Sequence, residues 1–166
     1  MSWSRQLSKP MIGTTISKHT NGTLRVSVVN AQRERPVNTT RIARVARCAI
    51  QRLGIAAQGE WSITFVDSQR MRQLNKRFMR HDRPTDVLSF RYDGEPTVGE
   101  ILIAPDQAHA YAKQHGLSYG EELSRYVVHG LLHWLGHDDR TLAQQRKMRA
   151  LEDKLLYTVN HMLRSC

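Results

Sequence analysis

The sequence predicts a single α+β domain. Segments with the alternating pattern of strands are interspersed with segments that repeat apolar residues at helical spacing. The two kinds of segment follow no regular strand–helix repeat, so a small sheet covered by helices is the natural architecture. A chain of 166 residues is long enough to bury one hydrophobic core.

Four segments are predicted to be strands. Leu24–Asn30 shows the pattern most clearly, because leucine and valines alternate there with arginine and serine. In chain order the predicted strands are Leu24–Asn30, Trp61–Val66, Asp86–Tyr92 and Val98–Ile103.

Five helices are predicted from apolar stripes and from residues that cap helices. Pro36 breaks the chain, and Asn38 or Thr39 then caps the first helix. The predicted helices run from there to Gly54, from a cap at Ser68 through Met71, Leu74 and Phe78, from Asp106 to about Gly116, from Tyr119 to Leu135, and from Thr141 through Val159.

The positive charge is concentrated near the start of the chain. The net charge is +10, and residues 1–56 contribute +9 of it, with ten Lys or Arg against one acid. In the first helix Arg41, Arg44 and Arg52 lie opposite the apolar stripe. We expect this face to bind RNA, with a merely solvated basic face as the alternative.

The remaining composition indicates a cytoplasmic protein. The two cysteines make no disulfide framework or zinc ribbon, which fits a reducing compartment. No apolar run is long enough to span a membrane, and the N-terminus lacks the core of a signal peptide. Residues 1–22 are polar, basic and aperiodic, so we expect a disordered extension before a domain at 23–166.

The segment HGLLHWLGHDD, residues 129–139, is the most informative part of the chain. His129 and His133 are four residues apart on one side of an otherwise apolar helix, so both imidazoles can reach one ion. Gly136 can end the helix in a left-handed cap and turn the chain back with a third ligand. Three protein ligands and an open position are typical of a catalytic metal site.

The same segment argues against a peptidase. The peptidase signature H-E-x-x-H carries a glutamate as general base directly after the first histidine, and here Gly130 occupies that position. The alternative to a metal site is that the histidine spacing is coincidental. Two buried imidazoles would then need other polar partners, because unpaired polar groups are costly there.

Three segments resemble the YbeY endoribonuclease family, which is linked to ribosomal RNA maturation. HGLLHWLGHDD resembles the family signature H-G-x-L-H-L-x-G-x-D-H. LNKRFMRHDRPTDVLSF, residues 74–90, resembles L-N-x-x-Y-R-x-K-D-x-P-T-D-V-L-S-F, and VGEILI, residues 98–103, resembles L-G-D-I-x-I. The resemblance covers roughly residues 24–158 and implies a mostly parallel four-stranded sheet, about five helices and a metal site on a central helix.

The chain departs from the family pattern at functional positions. The third metal histidine of the family falls at Asp139, whose carboxylate can serve as a ligand. His137 is the rival third ligand, although it follows Gly136 too closely for an easy turn. The family's arginine falls at Met79, so the neighbouring Arg80 is the candidate to hold the scissile phosphate. The family's lysine falls at His81.

The predicted function is a metal-dependent endoribonuclease of ribosomal RNA maturation. The alternatives are a non-catalytic ribosome-assembly factor with a structural metal and a degenerate hydrolase of another class. Two imidazoles and a carboxylate suit zinc, with nickel, iron and manganese left open. The sequence also leaves open whether activated water attacks the phosphate or deprotonates the 2′-OH. The resemblance implies small-subunit ribosomal proteins and an assembly GTPase as partners. Asp86 and Ser89 are expected to face the substrate, or else to fill structural roles.

Overall fold

The computed structural model describes residues 3–7, 23–55, 59–92 and 98–165, which form a sheet with helices on both faces. The strands are β1 (Trp3–Leu7), β2 (Leu24–Asn30), β3 (Gly59–Phe65), β4 (Val87–Tyr92) and β5 (Val98–Ile103). The helices are α1 (Thr39–Arg52), α2 (Ser68–Met79), α3 (Pro105–His115), α4 (Tyr119–Trp134) and α5 (Leu142–Ser165). The predicted α+β fold with five helices is confirmed.

The sheet has the strand order β1-β4-β5-β3-β2 in the described part of the chain. β1 pairs parallel with β4, and β5, β3 and β2 pair parallel with one another. Only β4 and β5 pair antiparallel within these residues. The expectation of a mostly parallel sheet is therefore confirmed, and β2 to β5 are the four predicted strands.

Strand β1 departs from the expectation that residues 1–22 form a disordered extension. Trp3 lies opposite Leu88 and Leu7 opposite Tyr92, so the backbone of Trp3–Leu7 extends the sheet at the edge of β4. An edge strand is held by backbone hydrogen bonds to its neighbour, and a polar, aperiodic segment can make them. The rest of the expected extension, residues 8–22, lies outside the described residues.

The two faces of the sheet bury separate cores. On one face Trp61, Ile63 and Ile101 pack with the apolar sides of α1, α4 and α5. On the other face Leu88 and Phe90 pack with α2 and the residues around it. Alternate residues of one strand thus point into different cores. As a result α4 and α2 lie on opposite sides of the sheet.

Helix α4 approaches the sheet closely at Gly130. A Cβ atom at this position would lie 2.8 Å from Ile101 Cγ2 and 3.1 Å from Val87 Cγ1. The Ser89 hydroxyl donates a hydrogen bond of 2.8 Å to the Gly130 carbonyl oxygen. Ser89 is fully buried, so of the two roles left open for it the structural one applies. Its position in the strand points its side chain at the backbone of α4.

Capping side chains set most of the helix starts. Asn38 caps α1 as predicted, and its Oδ1 accepts a hydrogen bond of 2.9 Å from the Arg41 N–H. The cap of α2 is Asp67, one residue before the predicted Ser68; its Oδ1 accepts from the Arg70 N–H at 2.7 Å. The residue with non-helical dihedrals is Asp67, and only that residue's side chain can reach the free N–H groups.

None of the described helices is long and apolar enough to cross a membrane.

Candidate metal centre

Helix α4 and the turn after it bring three potential metal ligands together. His129 and His133 lie one turn apart on the same side of α4, with ring centroids 4.5 Å apart. The helix ends in a Schellman turn: the Gly136 N–H donates to the His133 carbonyl oxygen at 2.9 Å, and the His137 N–H donates to the Leu132 carbonyl oxygen at 3.0 Å. Gly136 has a φ of +96°, which favours glycine. The turn carries Asp139 back toward the histidines.

The ligand atoms of the three side chains face one point. His129 Nε2 and His133 Nε2 are 3.1 Å apart. Asp139 Oδ2 lies 3.7 Å from the first of these nitrogens and 3.6 Å from the second. Ligands bound at about 2.0–2.2 Å in tetrahedral geometry lie roughly 3.3–3.6 Å from one another. The spacing of these three atoms therefore fits a single zinc-sized ion.

The surroundings of Asp139 also fit a metal. Its Oδ1 atom is buried and has no hydrogen-bond partner in the described part of the chain, which would be costly without a further ligand. The group that could hold a metal ion consists of His129, His133 and Asp139. The imidazole of His137, the rival third ligand, is not part of that group.

Glu152 on α5 orients the first histidine. Its Oε1 atom lies 2.6 Å from His129 Nδ1, and both side chains are buried. A hydrogen bond at Nδ1 leaves Nε2 directed toward the other ligands, as in many carboxylate–histidine–metal arrangements. Sequence reasoning missed Glu152. The sequence did contain a signal for it. Glu152 has helical spacing with Met148 and Leu155, which places it on the buried side of α5, where a carboxylate needs a partner.

Arg125 completes this network one turn before His129. Its Nη1 atom lies 3.1 Å from Glu152 Oε2 and 2.8 Å from Asp153 Oδ1. Burial opposes the positive charge of Arg125, but the hydrogen bonds to Asp153 and Glu152 outweigh it and raise the pKa of the guanidinium. Glu152 is thus held on both oxygens, between a cation and a metal-ligand candidate.

Charges and burial within the cluster shift the pKa values of its members. Burial acts to lower the pKa of His129, but the hydrogen bond that the ring donates to Glu152 and the nearby carboxylates of Asp86 and Asp139 outweigh burial and raise it. Burial acts to raise the pKa of Asp139, but the hydrogen bond and charge of His133 outweigh burial and lower it. These carboxylates favour positive charge at the centre of the cluster, whether it comes from a proton or from a metal.

Two of the three side chains, His129 and Asp139, border a cavity of about 340 Å³. Asp86 also lines it, and its Oδ1 accepts hydrogen bonds from Val87 N–H and Thr85 Oγ1, so contact with substrate by Asp86 stays a prediction. The complete lining is Asp86, Tyr111, Glu122, Arg125, Tyr126, His129, Asp139, Gln145, Met148, Arg149 and Glu152. A metal held at this wall would therefore be accessible to a ligand from one side.

Arg80, the predicted phosphate-binding residue, is not among the lining residues. It ends α2 in a left-handed conformation with a φ of +61°, on the helix that covers the opposite face of the sheet. Its catalytic role stays a prediction. The cations that line the cavity in the described residues are Arg125 and Arg149.

The predicted RNA-binding arginines lie on the solvent side of α1. Arg41, Arg44 and Arg52 are exposed, while Ile42 and Val45 on the other side are buried. Arg44 Nη2 donates a hydrogen bond of 3.4 Å to the Leu163 carbonyl oxygen, which partly fixes the orientation of this side chain. The basic face that the sequence predicts is therefore present, and RNA binding by it stays a prediction.

The fold and the site define an α+β protein with a helix-borne candidate metal centre of two histidines and one aspartate. Its fold is similar to the solution structure of a Thermotoga maritima protein, with a TM-score of 0.57, 22% sequence identity, and 84% of this chain and 92% of that one covered. At this identity the similarity concerns the fold alone.

The chain belongs to the YbeY family, because the family model described as "Endoribonuclease YbeY" matches residues 27–160. The "Endoribonuclease YbeY" of Aquifex aeolicus is 35% identical over 136 residues, which cover 79% of this chain and 90% of that protein. The "Endoribonuclease YbeY" of Salinispora tropica is 36% identical over 136 residues, which cover 72% of this chain and 87% of that protein. The predicted family is confirmed.

Proposed function

We propose that this protein is a metal-dependent endoribonuclease that acts on ribosomal RNA during maturation of the small subunit. The observation that carries the proposal is the convergence of His129, His133 and Asp139, of which His129 and Asp139 line an open cavity. The names of its relatives, all endoribonucleases, support RNA as the substrate. The cytoplasm, where ribosomes mature, is the proposed location, and ribosomal proteins of the small subunit and an assembly GTPase are the proposed partners.

The proposed cofactor is one divalent ion, with zinc best suited to two imidazoles and a carboxylate. When bound, such an ion supplies Lewis acidity that activates water and neutralises charge on a phosphoryl oxygen. His129 and His133 bind through Nε2, and Glu152 keeps the His129 ring in the orientation that binding needs. Asp139 brings negative charge that partly balances the ion.

The position of Gly130 explains why RNA is the better substrate class than peptide. Peptide hydrolysis needs a group that passes a proton to the leaving amine, and a glutamate after His129 does this in the related signature. The Gly130 backbone is packed against Ile101 and Val87, so a side chain at that position would require these two residues to shift. RNA makes a weaker demand, because an oxygen leaves more readily than an amine and the 2′-OH is a built-in nucleophile.

The proposal predicts cleavage of unpaired RNA that is suppressed by a chelator and restored by added metal. The measurement is gel analysis of a structured small-subunit ribosomal RNA fragment with wild type and His133→Ala purified identically. A peptide library incubated with the same preparation should stay intact. Equal cleavage by the two proteins would indicate a contaminating ribonuclease and would favour a non-catalytic assembly factor with a structural metal.

A second prediction concerns the basic face of α1. Replacing Arg41, Arg44 and Arg52 together by glutamine should weaken RNA binding and flatten its dependence on salt. Each lost phosphate contact lowers the log–log salt slope by about 0.9 for a duplex and about 0.7 for a single strand. Affinity is measured by fluorescence anisotropy at several salt concentrations, with Arg164→Gln as an exposed control. Unchanged slope and affinity would mean that this face is only solvated.

A further inference from the structure

An exposed aromatic side chain stands at the edge of the cavity that borders the candidate metal centre. Tyr111 of α3 lines this cavity and is 36% exposed. Its ring stacks on His115, one helical turn later, with centroids 4.0 Å apart and planes 21° apart. The His115 ring partly fixes the orientation of Tyr111, which presents an aromatic surface beside a site proposed to cleave RNA. Aromatic surfaces of this kind bind unpaired bases by stacking.

The two arginines of the cavity differ in how firmly they are held. Arg125 is engaged by carboxylate oxygens at 2.8 and 3.1 Å. Arg149 of α5 is 44% exposed, and its nearest carboxylate oxygens, on Glu152 and Asp153, are 3.8 and 3.9 Å away. These distances exceed hydrogen-bond length, so Arg149 can turn its guanidinium to an incoming phosphate.

The rest of the cavity wall directs a phosphate to that arginine. The lining includes the carboxylates of Asp86, Glu122, Asp139 and Glu152, which would repel a phosphate. The phosphates of a polyanion can therefore bind in this cavity only next to a cation, which is either Arg149 or a bound metal.

We propose that this cavity is a nucleotide subsite, in which the base of an unpaired nucleotide stacks on Tyr111 and its phosphate pairs with Arg149. The volume of about 340 Å³ is within the roughly 300–1,000 Å³ range of small-ligand pockets. The next phosphodiester of the strand then reaches the candidate metal centre, whose His129 and Asp139 line the same cavity. A base paired in a duplex cannot stack in this way. The inference rests on the proposed function and identifies the part of the substrate that the cavity holds.

The test of the stacking step measures binding before cleavage. A single-stranded RNA carrying 2-aminopurine is mixed with the metal-loaded protein in a stopped-flow fluorimeter, where stacking on an aromatic ring quenches the probe. Tyr111→Ala should lose the quench at the bound base and about tenfold in affinity, with its salt slope unchanged. Tyr111→Phe should keep both. Tyr157→Ala, which removes a tyrosine that is 77% exposed on α5, is the matched control and should behave like wild type.

The test of the phosphate contact uses salt dependence. Arg149→Gln should lower the slope by about 0.7 for single-stranded RNA and leave the quench by Tyr111 in place. The control is Arg146→Gln, an exposed arginine on the same helix that does not line the cavity. The two variants thus separate a stacking contact from a charge contact.

Three outcomes would overturn the subsite. If Tyr111→Ala binds and quenches like wild type, the ring serves only to stack on His115. If Arg149→Gln and Arg146→Gln lower the slope equally, the cavity has no special phosphate contact. If a fully paired RNA depends on Tyr111 as strongly as a single strand, no unpaired base is bound. Failure of the proposed function is distinguishable, because wild type would then bind RNA with the predicted dependence on Tyr111 and leave it uncut.

Discussion

The alanine variant of His133 is expected to contain no bound metal, whereas the alanine variant of His137 keeps full occupancy. His133 Nε2 lies 3.1 Å from His129 Nε2 and 3.6 Å from Asp139 Oδ2, so its loss removes one of three ligands. His137 contributes its backbone N–H to the turn and no ligand atom to the group. The measurement is metal analysis of gel-filtered protein, with His161→Ala, an exposed histidine of α5, as control.

Variants of Asp139 in the same experiment test which residue is the third metal ligand. Asp139→Ala should also lose the metal, and Asp139→His should retain it, because an imidazole at this position restores the ligand type of the family pattern. Full occupancy in Asp139→Ala together with loss in His137→Ala would show that the third ligand is His137. Circular dichroism of each variant separates loss of metal from loss of fold.

The isosteric variant Glu152→Gln is expected to lower metal affinity by about 10–100-fold. Glu152 Oε1 lies 2.6 Å from His129 Nδ1, and its negative charge would favour a cation bound by the ring. A glutamine keeps the size of the side chain but removes this charge. It also replaces the buried ion pair between Arg125 and Glu152 by a weaker, uncharged contact. Affinity is measured by competition with a chromophoric chelator.

Asp153→Asn is the matched control for this variant. Asp153 is the neighbouring carboxylate, binds the same guanidinium at 2.8 Å, and does not contact His129. Its removal should change metal affinity much less than removal of the charge of Glu152. Similar affinities in Glu152→Gln and wild type would mean that the 2.6 Å contact orients the ring without influencing the metal.

The histidine-bearing helix could be predicted almost completely from the sequence. The four-residue spacing of His129 and His133 and the glycine at 136 require only helix geometry and the steric freedom of glycine. These are local properties, and the structure reproduces them in α4 and its Schellman turn. The approach of Asp139 to the histidines follows from the same turn, because three residues after Gly136 the chain must lie near the end of the helix.

Contacts between distant elements were much harder to predict. Glu152 is 23 residues from His129 in sequence, and Arg125 is joined to it only through the packing of α4 on α5. The role of Ser89 stayed open between facing the substrate and filling a structural role, because the sequence does not say how closely α4 approaches the strand that carries it. Strand β1 was not predicted, because a segment that pairs with a sheet edge through backbone hydrogen bonds does not need an alternating pattern of side chains.

The glycine at 130 also limits what this scaffold can become. Where α4 touches the sheet, the space for even one methyl group is already filled by Ile101 and Val87. Introducing the glutamate of a zinc peptidase would therefore require smaller residues on two strands, or a helix standing farther from the sheet. The route from this centre to proteolysis therefore needs coordinated substitutions in α4, β4 and β5, and Gly130→Glu made alone is expected to destabilise the fold.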